Sequence, residues 1–256
     1  MHTVTTAIES RFQGIPDVAL GGYVGGLLAG PNESGEVTLR RPVPLDRALS
    51  VERREDGSAT LIDGAEVLAA WRPAAVDVEV PTAVTYEEAL VAEARALQRS
   101  VEHRHPFPGC MVCGSERAEG DGLRVFAGPV PDRSVVAAPW VPHPAHAGAD
   151  GVVRPELTWA VLDCPTIMAL VYASPADSPE RVVTARFAVS RHGPVRAGER
   201  HVVVGWVVGR DGKAYVTGGA VLSATGAVLA VARHVLVPVK WGVLLGVDGW
   251  RRGERG

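Results

Sequence analysis

A carboxylate lies in the middle of an apolar run. In Val161-Leu162-Asp163-Cys164-Pro165, inside the stretch Pro155 to Ala173, the flanks of Asp163 are apolar. Such surroundings raise a carboxyl pKa towards the range a general base needs. The same residues have a structural reading, because an Asp ahead of Cys-Pro is also a good N-cap with Pro165 just inside a new helical segment. A second group is Cys110-Met111-Val112-Cys113, shortly after His103-Arg104-His105. Two thiols and two imidazoles could complete a tetrahedral zinc site that staples the segment. However, His-x-His is not a common finger arrangement and packed thiols are often just small hydrophobes, so no metal and no cofactor is assigned. A redox role is weaker still, since no thioredoxin-like βαβ pattern surrounds the pair. His143 and His146, in a proline-rich loop, are reserve bases. Arg99, Arg104, Arg117 and Arg124 are arginines that could take phosphates. Gly21-Gly22-x-x-Gly25-Gly26 lacks the spacing and downstream acid of a dinucleotide site, and a phosphate-loop lysine is missing because the only lysines are Lys213 and Lys240.

Positioning these groups requires ordered elements. Val37 to Arg40, Ala48 to Glu52 and Ala59 to Ile62 are β-prone runs separated by turn residues, so antiparallel strands are expected. Ala19 to Ala29 is apolar, glycine-rich and short, which fits a buried helix. Thr85 to Arg99 reads as a surface helix, with Glu87 and Glu88 in the first turn and Arg95 and Arg99 near the end, matching the helix dipole. From His103 to Gly122 the pattern breaks into Pro, Gly, Cys and charge, as a connection would. Beyond it, Leu123 to Val130 and Ser134 to Trp140 look like strands, and Pro155 to Ala173 like an apolar helix. Long strands follow at Arg181 to Ser190, Arg200 to Val208, Ala214 to Val221 and Val228 to Pro238, joined by hairpin turns. His201 to Val208 is apolar at nearly every position, so both faces should be covered, one by the helix and the other by a partner sheet. Trp140, Trp159 and Trp206 are expected in the core, and Trp250-Arg251-Arg252 in a frayed tail.

Composition limits the function classes. Lys and Arg total 26 and Asp and Glu 29, a net charge of −3, so no cationic field draws in nucleic acid or acidic membranes. No uninterrupted apolar run approaches the roughly 18 residues of a membrane span, and the first residues lack a basic-then-apolar leader. A cytoplasmic protein is expected. Three cysteines are an odd number and too few for a secreted disulfide framework.

Strands, a buried helix, then long antiparallel strands occur twice, which suggests a duplication in which each sheet wraps its helix. At this point the chain resembles the acyl-CoA thioesterases built from two hotdog modules. The resemblance is carried by Gly21-Gly22-Tyr23-Val24, Pro42-Val43-Pro44-Leu45, Asp63-Gly64 and Val67-Leu68-Ala69 in the first half. In the second it is carried by Leu162-Asp163, Val183-Thr184, Gly212, Gly226 and Val228-Leu229-Ala230. It implies an α+β fold of two tandem hotdog modules, each an antiparallel sheet around a central helix. The modules would span 1–102 and 123–240, with a connecting loop at 103–122 and a tail at 241–256. In that family an acid on the second helix, a hydroxyl on the next strand and an amide on the last strand hold the hydrolytic water. By position these are Asp163, Thr184 and, where the family carries glutamine, His234. Taken alone, Thr184 is simply a β-former. A protonating imidazole at His234 would make activity depend on pH near neutrality. Gly21, Gly22 and Tyr23, at the start of the first central helix, become substrate-binding candidates, since helix-start N–H groups can stabilise an oxyanion. The implied activity is hydrolysis of an acyl-CoA or other acyl thioester in fatty acid metabolism, by a homo-oligomer without nucleic-acid or membrane partners. The alternative is a non-catalytic acyl-CoA or acyl-ligand binding hotdog protein.

Overall fold

The computed structural model describes residues 2–31, 33–81, 83–103, 105–174 and 181–239. Arg104, Lys240 and the expected tail with Trp250, Arg251 and Arg252 lie outside the described residues, as does the His103 side chain.

The strands are β1 (His2–Thr6), β2 (Ser34–Leu39), β3 (Leu49–Arg53), β4 (Ala59–Asp63), β5 (Glu66–Pro73), β6 (Gly128–Pro129), β7 (Val135–Trp140), β8 (Val182–Arg191), β9 (His201–Asp211), β10 (Ala214–Ser223) and β11 (Val228–Pro238). All pair antiparallel in one eleven-stranded sheet of order β1-β3-β4-β5-β2-β8-β11-β10-β9-β7-β6. The helices are α1 (Gly21–Ala29), α2 (Tyr86–His103) and α3 (Pro155–Ala173). β2 joins β8 from Ser34 opposite Ser190 to Thr38 opposite Arg186, so strands from both halves of the chain share one ladder. α1 and α3 pack against each other on one face of the sheet, and one apolar cluster runs through both halves, from Leu28 and Trp71 to Trp159 and Phe187.

Several expectations need correcting. The outer face of β7, β9 and β10 is covered by α2 rather than by a partner sheet: Ala89 and Ala92 pack with Val135, Val204 and Trp206. α2 was expected at the surface because only part of its circumference is apolar, and that part is the stripe turned to the sheet. Residues Leu123 to Ala127 form no strand in the sheet. Leu123 and Val125 instead donate their N–H groups to Met111 and Val112 carbonyls, at 2.7 and 2.8 Å, so this segment pairs with the cysteine loop. In that loop Cys110, Met111 and Val112 are buried in the main core. α3 has the length and hydropathy of a membrane-spanning helix, although no uninterrupted apolar run was seen; 67% of that window is buried inside the molecule, so the sheet and α1 satisfy its apolar surface.

Candidate active site

Glycines let α1 and α3 meet closely. A Cβ at Gly22 would stand 2.9 Å from the Trp159 carbonyl oxygen and 3.1 Å from the Ala160 Cα, and one at Gly26 would stand 2.4 Å from the Glu156 Cα. Contact positions rise along α1 as they fall along α3, so the helices are antiparallel. This brings the first turn of α1 onto Asp163, whose Oδ2 accepts the Gly22 N–H at 2.6 Å. α3 runs unbroken through Pro165, so Asp163 is a mid-helix residue and not an N-cap. A pair of facing glycines, Gly205 and Gly219, lets the sheet come close to α3 at Pro165, since a Cβ at Gly205 would meet the Pro165 carbonyl. Asp163 is 2% exposed. Burial pushes its carboxyl up to about 7, outweighing the lowering effect of the Gly22 N–H, with the nearby Cys110 adding to the rise.

Thr184 reaches the same place through a β-bulge. His234 on β11 lies opposite Phe187 on β8, and Leu236, two residues on, lies opposite Thr184 instead of Ala185. Opposed residues in a ladder share a face, so the extra residue turns Thr184 to the side occupied by His234 and the helices. Thr166 completes the set. Its hydroxyl donates to the Asp163 carbonyl oxygen at 2.6 Å, so its single proton is committed. It must therefore accept from His234 Nδ1, 2.7 Å away, which assigns the ring proton to Nδ1. His234 Nε2 is then a bare acceptor and takes the Thr184 hydroxyl proton at 2.8 Å. The Thr184 oxygen keeps its lone pairs for another partner. His234 is fully buried, and desolvation lowers its pKa to about 3, so the ring is neutral at every physiological pH. The expected protonation near neutrality is overturned.

Gly21 shows what lies between these groups. A Cβ there would stand 3.4 Å from Thr184 Oγ1, 3.5 Å from Asp163 Oδ2 and 2.8 Å from Leu39 Cδ1. The position a side chain would take at Gly21 is thus bordered by the carboxylate, the hydroxyl and the Leu39 side chain. Of the helix-start donors, Gly22 is occupied by Asp163, whereas the N–H groups of Gly21 and Tyr23 have no partner among the described residues. The Tyr23 ring stacks on Phe12 at 4.0 Å, and burial, helped by Glu156, raises its phenol to about 12. Chemically, the arrangement can hold one water between two acceptors beside the positive end of a helix.

Other candidates stand apart. His143 and His146 pack edge to face at 6.2 Å beside the start of α3, about two turns from Asp163. Arg117 binds the Gly109 carbonyl and Asp121, Arg124 lies over Phe126, and Arg99 over Tyr172. The sequence reading missed Thr166. Its signal was a hydroxyl three residues after Asp163, one helical turn along an otherwise apolar helix.

No protein-family model and no curated protein matches the chain in sequence. In structure it is similar to the TesB protein of Mycobacterium avium subsp. paratuberculosis (13% identity, TM-score 0.59) and to the acyl-CoA thioesterase II of Mycobacterium marinum (14%, 0.57), with 93% of each chain covered in both cases. It is also similar to a conserved protein with a hotdog fold from Alicyclobacillus acidocaldarius (12%, 0.51), again over 93% of each chain. The chain has a hotdog fold, shared with thioesterases of the TesB kind.

Proposed function

We propose that this chain hydrolyses an acyl thioester, with acyl-CoA as the substrate class, using a water bound between Asp163 and Thr184. The observation that carries the reading is the convergence of both oxygens on the Gly21 position. Water donates one hydrogen to Asp163 and the other to Thr184, and its lone pair is left to attack the thioester carbonyl. Asp163, the catalytic base, takes the proton as the C–O bond forms. The Gly21 and Tyr23 N–H groups stabilise the developing oxyanion at the α1 N-terminus, and the thiolate leaves as the carbonyl re-forms. His234 is a positioning residue. By holding the Thr184 proton it keeps that hydroxyl an acceptor, so Thr184 never ties up the lone pair needed for attack. An amide at this position performs the same two tasks, which is how a histidine can stand where the resembling family carries glutamine.

In the same reading the fold is a duplication, with hotdog modules at 1–102 and 123–240 joined by 103–122. The exposed outer strand β1 suits assembly into a homo-oligomer. The free cysteines suit a reducing cytoplasm, and an acyl-CoA substrate would place the chain in fatty acid metabolism.

A second reading, an acyl-ligand binder without turnover, is favoured by one observation: both His234 nitrogens are occupied by threonines, so the ring offers no donor to a water. Thiol release from short, medium, long and aromatic acyl-CoAs, with wild type beside Asp163→Asn, separates the two. Hydrolysis predicts turnover that falls by roughly 100-fold or more in the variant. Unchanged turnover in the variant removes Asp163 from the mechanism, and binding without turnover by the wild type selects the binder.

A further inference from the structure

The third cysteine changes the meaning of the first two. Cys164, next to Asp163 on α3, faces the loop that carries Cys110 and Cys113, and the three Sγ atoms lie within 4.8 Å of one another. Cys110 and Cys164 sulfurs are 3.6 Å apart, far beyond the roughly 2.05 Å of a disulfide. With Zn–S bonds of about 2.3 Å, the edge of a tetrahedron is about 3.8 Å, which is the scale of this cluster. The histidines considered with the sequence do not join it: the His103 side chain is not described, and His105 Nδ1 accepts the Phe107 N–H at 3.1 Å.

The loop is shaped around the sulfurs. The Gly114 N–H closes the turn on the Cys110 carbonyl at 2.9 Å. A Cβ at Gly114 would lie 2.3 Å from the Cys110 carbonyl oxygen and 2.4 Å from that of Pro108, so only glycine fits. The loop is anchored elsewhere too. Met111 N–H donates to Gln13 O at 2.9 Å, and Gln13 Nε2 to Gly109 O at 3.1 Å.

We propose that Cys110, Cys113 and Cys164 form a zinc site that pins the 107–114 loop to α3. Three thiol protons are released as three Zn–S bonds form. Among the described residues no fourth ligating side chain joins the three, so water takes the fourth position. Cys113 is the one partly exposed member and marks the route of entry. The metal is a structural clamp one residue from Asp163. It stands independently of the thioesterase reading, because its readouts are metal content and thiol reactivity.

The experiment is elemental analysis of the full chain, purified without chelator, desalted after equimolar Zn2+, and repeated for Cys113→Ser and Cys164→Ala. One zinc per chain is expected in wild type and a loss of about tenfold or more in both variants. Cobalt loading should give a thiolate-to-metal charge-transfer band that disappears in Cys113→Ser. Chelation should lower the melting temperature of wild type by roughly 5 °C or more, and expose three titratable thiols. Cys113, being partly exposed, is the variant that keeps its fold, and circular dichroism checks this. Folded wild type that keeps no zinc, zinc that persists in folded Cys113→Ser, or a Cys110–Cys164 disulfide found by mass spectrometry would each overturn the proposal.

Discussion

At the scale of single residues, the site depends on where protons sit. Gly21 tests the water directly. The methyl of Gly21→Ala would meet the movable end of the Leu39 side chain, 2.8 Å away, and the small gain in helix propensity offsets that shift, so the variant should unfold close to the wild-type temperature. Its methyl would enter the space faced by Asp163 and Thr184 and should lower turnover by at least about tenfold, with a kcat effect larger than any on KM. A variant as active as wild type would show that no essential water lies there. His234 gives a second test. Glutamine can donate to Thr166 and accept from Thr184, so His234→Gln should stay within about tenfold of wild type, whereas His234→Leu should not. The same ring makes the protein acid-sensitive. Its folded pKa of about 3 lies below the ordinary 6.5, so its stabilising contribution is present above the unfolded value and is lost as pH falls. Going from pH 8 to pH 5 should cost about 2 kcal/mol through this residue, and denaturant titrations of His234→Gln should show that much less pH dependence. Equal pH dependence in both proteins would show that the ring protonates freely in the fold.

At the scale of elements, the helix crossing is what brings Asp163 to the start of α1. A Cβ at Gly26 would meet the backbone of Glu156 at 2.4 Å, a contact no rotamer change can relieve. Gly26→Ala should therefore destabilise by about 2 kcal/mol or more despite its better helix propensity, as measured by chemical denaturation. A neutral result would mean that the helices are free to separate. The contrast between Gly21 and Gly26, on one helix with one substitution, distinguishes room kept for a reactant from room kept for a neighbouring backbone. The bulge on β8 is the other device at this scale. Strict alternation puts Thr184 on the opposite side from Phe187, and only the extra residue places them together.

At the scale of the whole molecule, the two halves share a ladder and a core. β2 and β8 pair across the middle of the sheet, and the buried cysteine loop contacts both the Gln13 region and α3. Separate modules would melt separately, but a shared core should make the 256-residue chain unfold in one calorimetric transition with matching van't Hoff and calorimetric enthalpies. Two resolved peaks would show that the β2–β8 seam is weak.

What could be read from the chain alone follows from where the information lies. β11 matches its expected range, Val228–Pro238, and α3 its range, Pro155–Ala173, because hairpin turns, apolar runs and an N-terminal proline are local signals. β1 and β5 were not recognised as strands in their own right, since β1 is a short exposed edge strand and β5 mixes charge with apolar residues. Asp163 stood out as a carboxylate in apolar surroundings, whereas Thr184 and His234 entered only through resemblance to a family. What the tertiary structure alone decided was the wiring: the bulge that turns Thr184, the Thr166 hydroxyl that assigns the His234 tautomer, α2 over the outer face of the sheet, and Cys164 meeting Cys110 from 54 residues away. Local propensity acts over a few residues and is written into every window of the sequence. Proximity across long chain separations is created by packing, and the chemistry of this site depends on it.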